Sequence, residues 1–280
     1  MKDFGGKVAV VTGAASGIGA GLARAFAGEG MKLAVADVEA DRLAGVAQEL
    51  EGNGAEVVSR VTDVADKDQV SALAEETYAR FGAVHVLCNN AGVTGASCPI
   101  WETPDQDWDW IMGVNLRGIL NGLQVFVPRM IAQDEEGVVM NTSSFVGLST
   151  GTSSVYGISK HAITRMTEGL HYDLKEAGSK LRAALLAPGA VASDFGLSER
   201  NRPAVLKLDL DGEEAEKRAG RRERIHAWLA VNGMTPDEVA QIALQGIRDG
   251  RFYIYTNPEE VKTRVEKRMK GILETGVPLD

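Results

Sequence analysis

Cysteine is scarce in this sequence, with only Cys88 and Cys98 among 280 residues. They stand in neither a metal-ligand nor a redox spacing, which excludes sites built on such motifs. Cys88 ends the apolar run 86–88 and reads as a reduced, buried thiol. Histidine is nearly as rare. The four at positions 85, 161, 171 and 226 make no ligand pattern, so no metal site is expected. Positive charge is also in short supply: 30 Lys and Arg face 39 Asp and Glu, for a formal net charge of -9. That balance argues against nucleic acid or an anionic membrane surface as a partner. The apolar part of the N-terminal stretch is too short to span a membrane and lacks a secretory pattern. The chain therefore reads as a soluble, cytoplasmic protein. No internal repeat or low-complexity tract interrupts it.

What is present is ordinary globular composition, 44% hydrophobic and 25% charged. The length fits one α/β domain over residues 1–280. Residues 7–12 (KVAVVT) form a β-branched apolar run and read as a buried strand. A glycine-rich turn follows, Gly13-Ala14-Ala15-Ser16-Gly17-Ile18-Gly19, and then an amphipathic helix over 20–29. Strand, glycine turn and helix are the context of a dinucleotide site. Glycine lets backbone approach a pyrophosphate, and the helix start offers it free N–H groups. Gly13, Ser16, Gly17, Ile18 and Gly19 are the candidate contacts. The spacing is G-x-x-x-G-x-G, not G-x-G-x-x-G, and a glycine turn without a ligand is the competing reading.

The second strand, 32–36, ends at Asp37, where a carboxylate can accept from the adenosine ribose hydroxyls. It would repel a 2′-phosphate, and no Arg or Lys follows at 38–40. This favours NAD over NADP; a simple helix cap is the alternative. Further strands are expected at 56–61, 84–88, 138–140, 181–186 and 252–255. Helices are expected at 66–81, 104–132, 153–177, 236–249 and 259–274, the second capped by Thr103 with Pro104 at its first position. The alternation predicts a single Rossmann-type, doubly wound parallel sheet with helices on both faces. The clusters at 13–19, 37, 89–92 and 143–144 all fall at carboxyl ends of strands, where such sheets bind ligands. Between 193 and 235 the pattern fades. This stretch reads as a substrate lid, its charged part 213–224 a charged helix or a flexible flap with a solvated face. Phe195, Leu197, Val205, Leu206 and Trp228 either line a pocket or hold the flap down.

Tyr156 and Lys160 are four apart, so in a helix they share a face. An ammonium beside a phenol favours the phenolate, lowering the tyrosine pKa and making a candidate general acid/base. Ser143 and Ser144 at the preceding strand end can bond a substrate oxygen. Alone, the pair also fits an ordinary surface helix, and mid-helix Asn115 fits a surface polar residue.

Together these pieces resemble the short-chain dehydrogenase/reductase family over positions 5–255. They are Thr12-Gly13-x-x-x-Gly17-x-Gly19, Asp63, Asn89-Asn90-Ala91-Gly92, Asn115, a serine, Tyr156-x-x-x-Lys160 and Pro188-Gly189. The resemblance implies a tetrad of Asn115, Ser144, Tyr156 and Lys160. Tyr156 would exchange the proton, with Lys160 depressing its pKa and bonding the nicotinamide ribose. The serine would orient the substrate oxygen. Asn115, in a locally disturbed helix, would hold a water linking Lys160 to solvent. The family's usual spacing selects Ser143, whereas the glycine three residues on, Gly147, selects Ser144; Ser144 is preferred because the strand end fixes side-chain direction. Implied cofactor contacts are Asp63 and Val64 at the adenine, Asn90, Ala91 and Gly92 near the ribose, and Pro188, Gly189, Val191 and Ser193 by the carboxamide, with Ser193 replacing the family's usual threonine. The family also implies a homodimer or homotetramer through helices 104–132 and 153–177.

The leading expectation is an NAD-dependent oxidoreductase for a secondary alcohol or ketone, bulky and apolar or aromatic. Residues 201–203 and 253–256 faintly resemble dehydrogenases for lignin-derived aryl ether alcohols. A non-catalytic NAD-sensing or scaffold protein would have a damaged tetrad, and this one is intact. An epimerase or dehydratase using bound NAD would carry a larger substrate domain and another glycine pattern.

Overall fold

The computed structural model describes residues 1–95, 98–151 and 154–279. Seven strands, all parallel, form one sheet in the order β3-β2-β1-β4-β5-β6-β7. In chain order they are β1 (Val8–Thr12), β2 (Lys32–Asp37), β3 (Val57–Val61), β4 (Val86–Asn89), β5 (Gly137–Thr142), β6 (Leu181–Ala187) and β7 (Tyr253–Tyr255). The helices are α1 (Gly17–Gly28), α2 (Ala40–Gly52), α3 (Lys67–Phe81), α4 (Asp105–Met112), α5 (Gly118–Ala132), α6 (Val155–Glu176), α7 (Gly212–Asn232), α8 (Pro236–Arg248) and α9 (Pro258–Lys270).

Strand alternation divides the core into two layers. Ala9 and Val11 of β1 join Leu33 and Val35 under α1, α2 and α8, with Leu22, Phe26, Leu43 and Leu244 facing them. Val8 and Val10 point the other way, to Leu73 of α3, Phe126 of α5 and Leu174 of α6. Burial on both faces explains why β1, β4 and β5 read as continuous apolar runs. The strand order reverses between β1 and its neighbours β2 and β4, opening a crevice at the carboxyl ends.

The structure corrects the sequence reading in several places. The helix expected over 104–132 begins one residue later and runs on without a break as α4, a π-helical turn at Gly113–Arg117 and α5, the turn being the local disturbance that the resemblance implies at Asn115. Thr103 does not cap it. Its hydroxyl donates to the Pro99 carbonyl oxygen, and Pro104 stands at the N-cap without a side-chain bond. The first helix starts at Gly17, inside the glycine turn, not at residue 20. The start placed at Ser153 lies outside the described residues; Ser154 caps α6, accepting from the Gly157 N–H.

Residues 194–232 form 3-10 turns at Asp194–Asn201 and Ala204–Leu206 and then α7. The charged stretch 213–224 lies in α7 and is not wholly a solvated face. Arg218 is buried and donates to Asp107 of α4, which also takes Arg202. The Arg202 guanidinium stacks on Trp110, 4.2 Å from the ring centroid.

Candidate active site

A cleft of about 1070 Å³ runs along the carboxyl ends of the strands. Its first wall is the glycine turn. Gly13 has φ +68°, and a Cβ there would lie 2.8 Å from Ala91 Cα; one at Gly19 would lie 2.0 Å from the Gly13 carbonyl oxygen. Only a residue without a side chain lets these segments meet. Ser16 at the N-cap of α1 makes no side-chain cap bond and lines the cleft with Gly17 and Ile18. Gly17 also allows Ser193 close by, 3.3 Å from where a Cβ would be. Asp37 accepts from the N–H groups of Ala15 (3.0 Å) and Glu39 (3.1 Å). Two of roughly four acceptor positions are thus used, leaving the rest for a ligand. Burial raises its pKa, against the lowering by those N–H groups.

The remaining predicted cofactor residues line the same cleft. Asp63 caps its turn, accepting from the Ala65 N–H at 2.9 Å. Val64 packs against Gly118, where a Cβ would come within 2.6 Å. Asn90 ties three strand ends together: its side-chain amide donates to the Thr12 carbonyl, its backbone N–H to the Thr12 hydroxyl, and its Oδ1 accepts from Thr142. The Ala91 N–H also donates to Thr12 Oγ1. The Pro188 carbonyl accepts from the Phe145 N–H, the Gly189 N–H donates to Thr256, and Val191 bridges to Met234.

Further along lie the four residues expected to form a tetrad. Asn115 sits in the π-turn, fully buried. It grips Val93 with both ends of its amide, at 2.8 and 3.0 Å, and donates to Ser159. Lys160 Nζ donates to the Thr142 carbonyl oxygen at 2.9 Å and lies 5.5 Å from the Tyr156 ring centroid. A Cβ at Gly92 would come 3.4 Å from Asn115 Oδ1 and 3.5 Å from Lys160 Nζ, so the missing side chain keeps that space open.

The two serines point apart, as adjacent residues of an extended strand must. Ser143 Oγ donates to the Lys160 carbonyl at 2.9 Å and bonds Thr164, inside the α6 packing. Gly147 seals that contact: a Cβ there would lie 2.5 Å from Ser143 Oγ. Ser144 Oγ donates to the Pro188 carbonyl oxygen and accepts from the Val146 N–H, both at 3.4 Å, and it borders the cleft, as Ser143 does, beside the Tyr156 phenol.

Burial pushes the Tyr156 phenol up to about 12, against the lowering by the Ser144 hydrogen bond. The expected depression by Lys160 does not prevail. The same burial drives the lysine down to about 7, leaving it only partly charged near neutrality.

Sequence reasoning missed several participants. Thr142 holds Lys160 through its backbone carbonyl, which carries no residue signature. Phe195 is expected as a pocket-lining or flap-holding residue, but its tilted contact with the Tyr156 ring, centroids 5.4 Å apart, is not. Asp107 gave no signal, because its partners stand near 202 and 218. Among the described residues no group of three or more His, Cys, Asp or Glu is placed to hold a metal, and no helix is long and apolar enough to cross a membrane.

The glycine cradle, the exposed start of α1 and the Asp37 carboxylate fit the pyrophosphate and ribose of a dinucleotide. Comparison with known proteins agrees. A family profile described as short chain dehydrogenase matches residues 7–203. A CLA biosynthesis dehydrogenase/reductase of Lactiplantibacillus plantarum is 34% identical over 279 residues, 99% of this chain and 97% of that protein. A C alpha-dehydrogenase of Sphingobium sp. is also 34% identical, covering 100% of this chain and 90% of that one. The crystal structure of a short chain dehydrogenase/reductase from Burkholderia phymatum in complex with NAD superposes with a TM-score of 0.94 at 38% identity, covering 100% of this chain and 99% of that one. On this profile, these identities and this superposition, the chain belongs to the short-chain dehydrogenase/reductase family, oxidoreductases that work with a nicotinamide dinucleotide.

Proposed function

We propose that the protein transfers a hydride between NAD(H) and a secondary alcohol or its ketone, with a bulky, apolar or aromatic substrate. The observation that carries this reading is the meeting of Ser144, Tyr156 and Lys160 inside the cleft whose other end is the glycine cradle.

When bound, the nicotinamide gives or takes the hydride at the substrate carbon. Tyr156 gives a proton to the substrate oxygen in reduction and takes it back in oxidation. A phenol raised to about 12 keeps its proton at neutral pH, which suits the donor role. Ser144 orients the same oxygen from beside the phenol. Lys160 is fixed by Thr142, and each proton it gains favours the phenolate. Asn115 braces the Val93 backbone and keeps the way open between Lys160 and solvent.

Gly13, Ser16, Gly17, Ile18 and Gly19 would hold the pyrophosphate, and Asp37 the adenosine ribose. Asp63, Val64, Asn90, Ala91, Gly92, Pro188, Gly189, Val191 and Ser193 would complete the cofactor wall. Two carboxylates, Asp37 and Glu39, stand where a 2′-phosphate would sit. The nearby Arg42 and Arg200 are engaged by Asp194 and Glu39. The NAD held by the Burkholderia phymatum relative points the same way.

Val93, Phe145, Val146, Phe195, Trp228 and Leu229 line the cleft and supply the apolar surface for the substrate. Residues 193–235 act as the lid. The outer faces of α5 and α6 carry Leu120, Leu123, Val127, Ile131, Met166 and Leu170 around a shallow apolar hollow, which favours a homo-oligomer.

The test is absorbance of the reduced nicotinamide across a panel of secondary alcohols, with NAD and NADP in parallel. Turnover should depend on NAD, and Tyr156→Phe should lose roughly 10²–10⁴-fold in kcat/KM. Turnover with NADP alone would overturn the role of Asp37. A near wild-type rate for Tyr156→Phe would remove the proton carrier.

A further inference from the structure

The lid touches the cofactor end of the cleft as well as the substrate end. Glu39 stands two residues past Asp37, the last of β2, and lines the cleft with it. Its carboxylate receives Arg200 as a fork, Nη2 at 2.6 Å and Nε at 3.1 Å, and Asn201 Nδ2 at 3.0 Å. Next to it, Arg42 at the start of α2 reaches Asp194 of the lid at 2.7 Å. Glu39, Asp194, Arg200 and Asn201 all line the same cleft. The contacts therefore join its two banks, the β2–α2 corner and the 194–201 turn, above the place assigned to the adenosine ribose.

The 194–201 bank is itself anchored by buried contacts. Ser198 Oγ bonds both the N–H and the carbonyl of Thr94, at 3.0 and 3.1 Å. Arg202 is 2% exposed and locked onto Asp107, which is 1% exposed. By contrast Arg42 is 47% exposed, Asp194 36%, Arg200 29% and Glu39 16%. Buried, fully partnered charges do not part easily, whereas exposed pairs are weak and screened by salt. The contacts at this end that part most easily are thus the side-chain pairs of the bridge.

We infer that Arg200 and Glu39, helped by Asn201 and the Arg42–Asp194 pair, form a side-chain bolt across the adenosine end of the cleft, and that opening this bolt gates the exchange of the dinucleotide. Arg200 and Glu39 are positioning residues in this role. The fork also keeps both guanidinium groups turned to protein carboxylates, away from the ribose. The inference rests on the cleft binding a nicotinamide dinucleotide, and it is independent of which alcohol is oxidised.

The experiment follows NADH fluorescence on the full chain with no alcohol present. Bound NADH is displaced by excess NAD in a stopped-flow mixer, at low and high salt. Release from the wild type should quicken as salt is raised. Arg200→Met should release NADH about three- to ten-fold faster at low salt, as loss of a partly exposed pair allows, and should lose most of the salt dependence. The exchanged pair Glu39→Arg with Arg200→Glu should restore slow, salt-sensitive release, which a general loosening of the lid would not. Release from Arg200→Met at the wild-type rate, or wild-type release indifferent to salt, would overturn the bolt. Failure of the wild type to bind NADH or NADPH at all would instead remove the cofactor assignment, and the bolt with it.

Discussion

The ring of Phe195 leans on that of Tyr156 at 59°, with their centroids 5.4 Å apart. A residue of the lid therefore covers the proposed proton carrier. Replacing it with Ala should admit water, bring the phenol down from about 12 toward its ordinary 10.0, and remove one apolar wall of the substrate site. The alkaline limb of the pH profile for ketone reduction should move to lower pH in Phe195→Ala. KM should rise roughly ten-fold, as expected for the loss of one large apolar contact. Steady-state kinetics across pH checks both.

Lys160 gives a pH signature in stability. Burial lowers it from 10.5 to about 7, so the unfolded chain binds the extra proton between those values and the folded chain does not. Below both values the two states are protonated alike and the contribution is flat. As pH rises from about 7 to 10.5, the wild type should gain stability relative to Lys160→Met, by at most about 1.4 kcal/mol per pH unit. Denaturant midpoints of the two proteins across this window measure the slope.

The serines should separate cleanly. Ser143→Ala removes bonds to the Lys160 carbonyl and to Thr164, and should cost about 1 kcal/mol of stability with a modest loss of rate. Ser144→Ala removes the hydroxyl beside the phenol and its long bonds to Pro188 and Val146, and should cut kcat by roughly 10²-fold at a stability cost of about 1 kcal/mol. Equal rate losses in the two would refute the division of roles.

Asp107→Asn removes the buried carboxylate shared by two guanidiniums, leaving Arg202 only Glu199 and Arg218 only Glu214, both more exposed. Breaking a buried charge cluster from one side costs about 3–5 kcal/mol, and urea denaturation should show a loss of that order. Asp105→Asn, an exposed change in the same helix, is the control and should fall within about 0.5 kcal/mol of wild type.

The fold was legible because β1, β4 and β5 are each built on an apolar run, and the glycine turn 13–19 and the 89–92 and 188–189 segments lie at strand ends. Gly13, Gly17, Asp37 and Asn90 could be placed at one crevice from the strand–turn–helix rhythm alone. Three features were not legible for physical reasons. A disturbance at Asn115 was implied by the family resemblance, but its form, a π-turn at Gly113–Arg117, was not, because helical periodicity passes over one additional residue. The stretch 194–232 is held by ion pairs to Glu39 and Asp107, and long-range pairs leave no local pattern. Tyr156 and Lys160 were found by spacing, but spacing knows nothing of burial, so it foresaw the cation's pull and not the desolvation that opposes it.

The wide turn around Asn115 also sets the phase of everything after it. A π-turn carries one residue more than an α-helical turn, and deleting one would rotate α5 by about 100° against the sheet. At present the rotation brings Gly118 onto Val64, Asn121 onto the Val64 and Ala65 carbonyls, and Gly122 onto Asn89, where a Cβ would come within 2.1 Å. A shortened chain would turn bulkier neighbours toward those strands and swing the Asn115 amide off Val93. The surplus residue thus acts as the clocking pin by which an entire helix is indexed to the reaction centre.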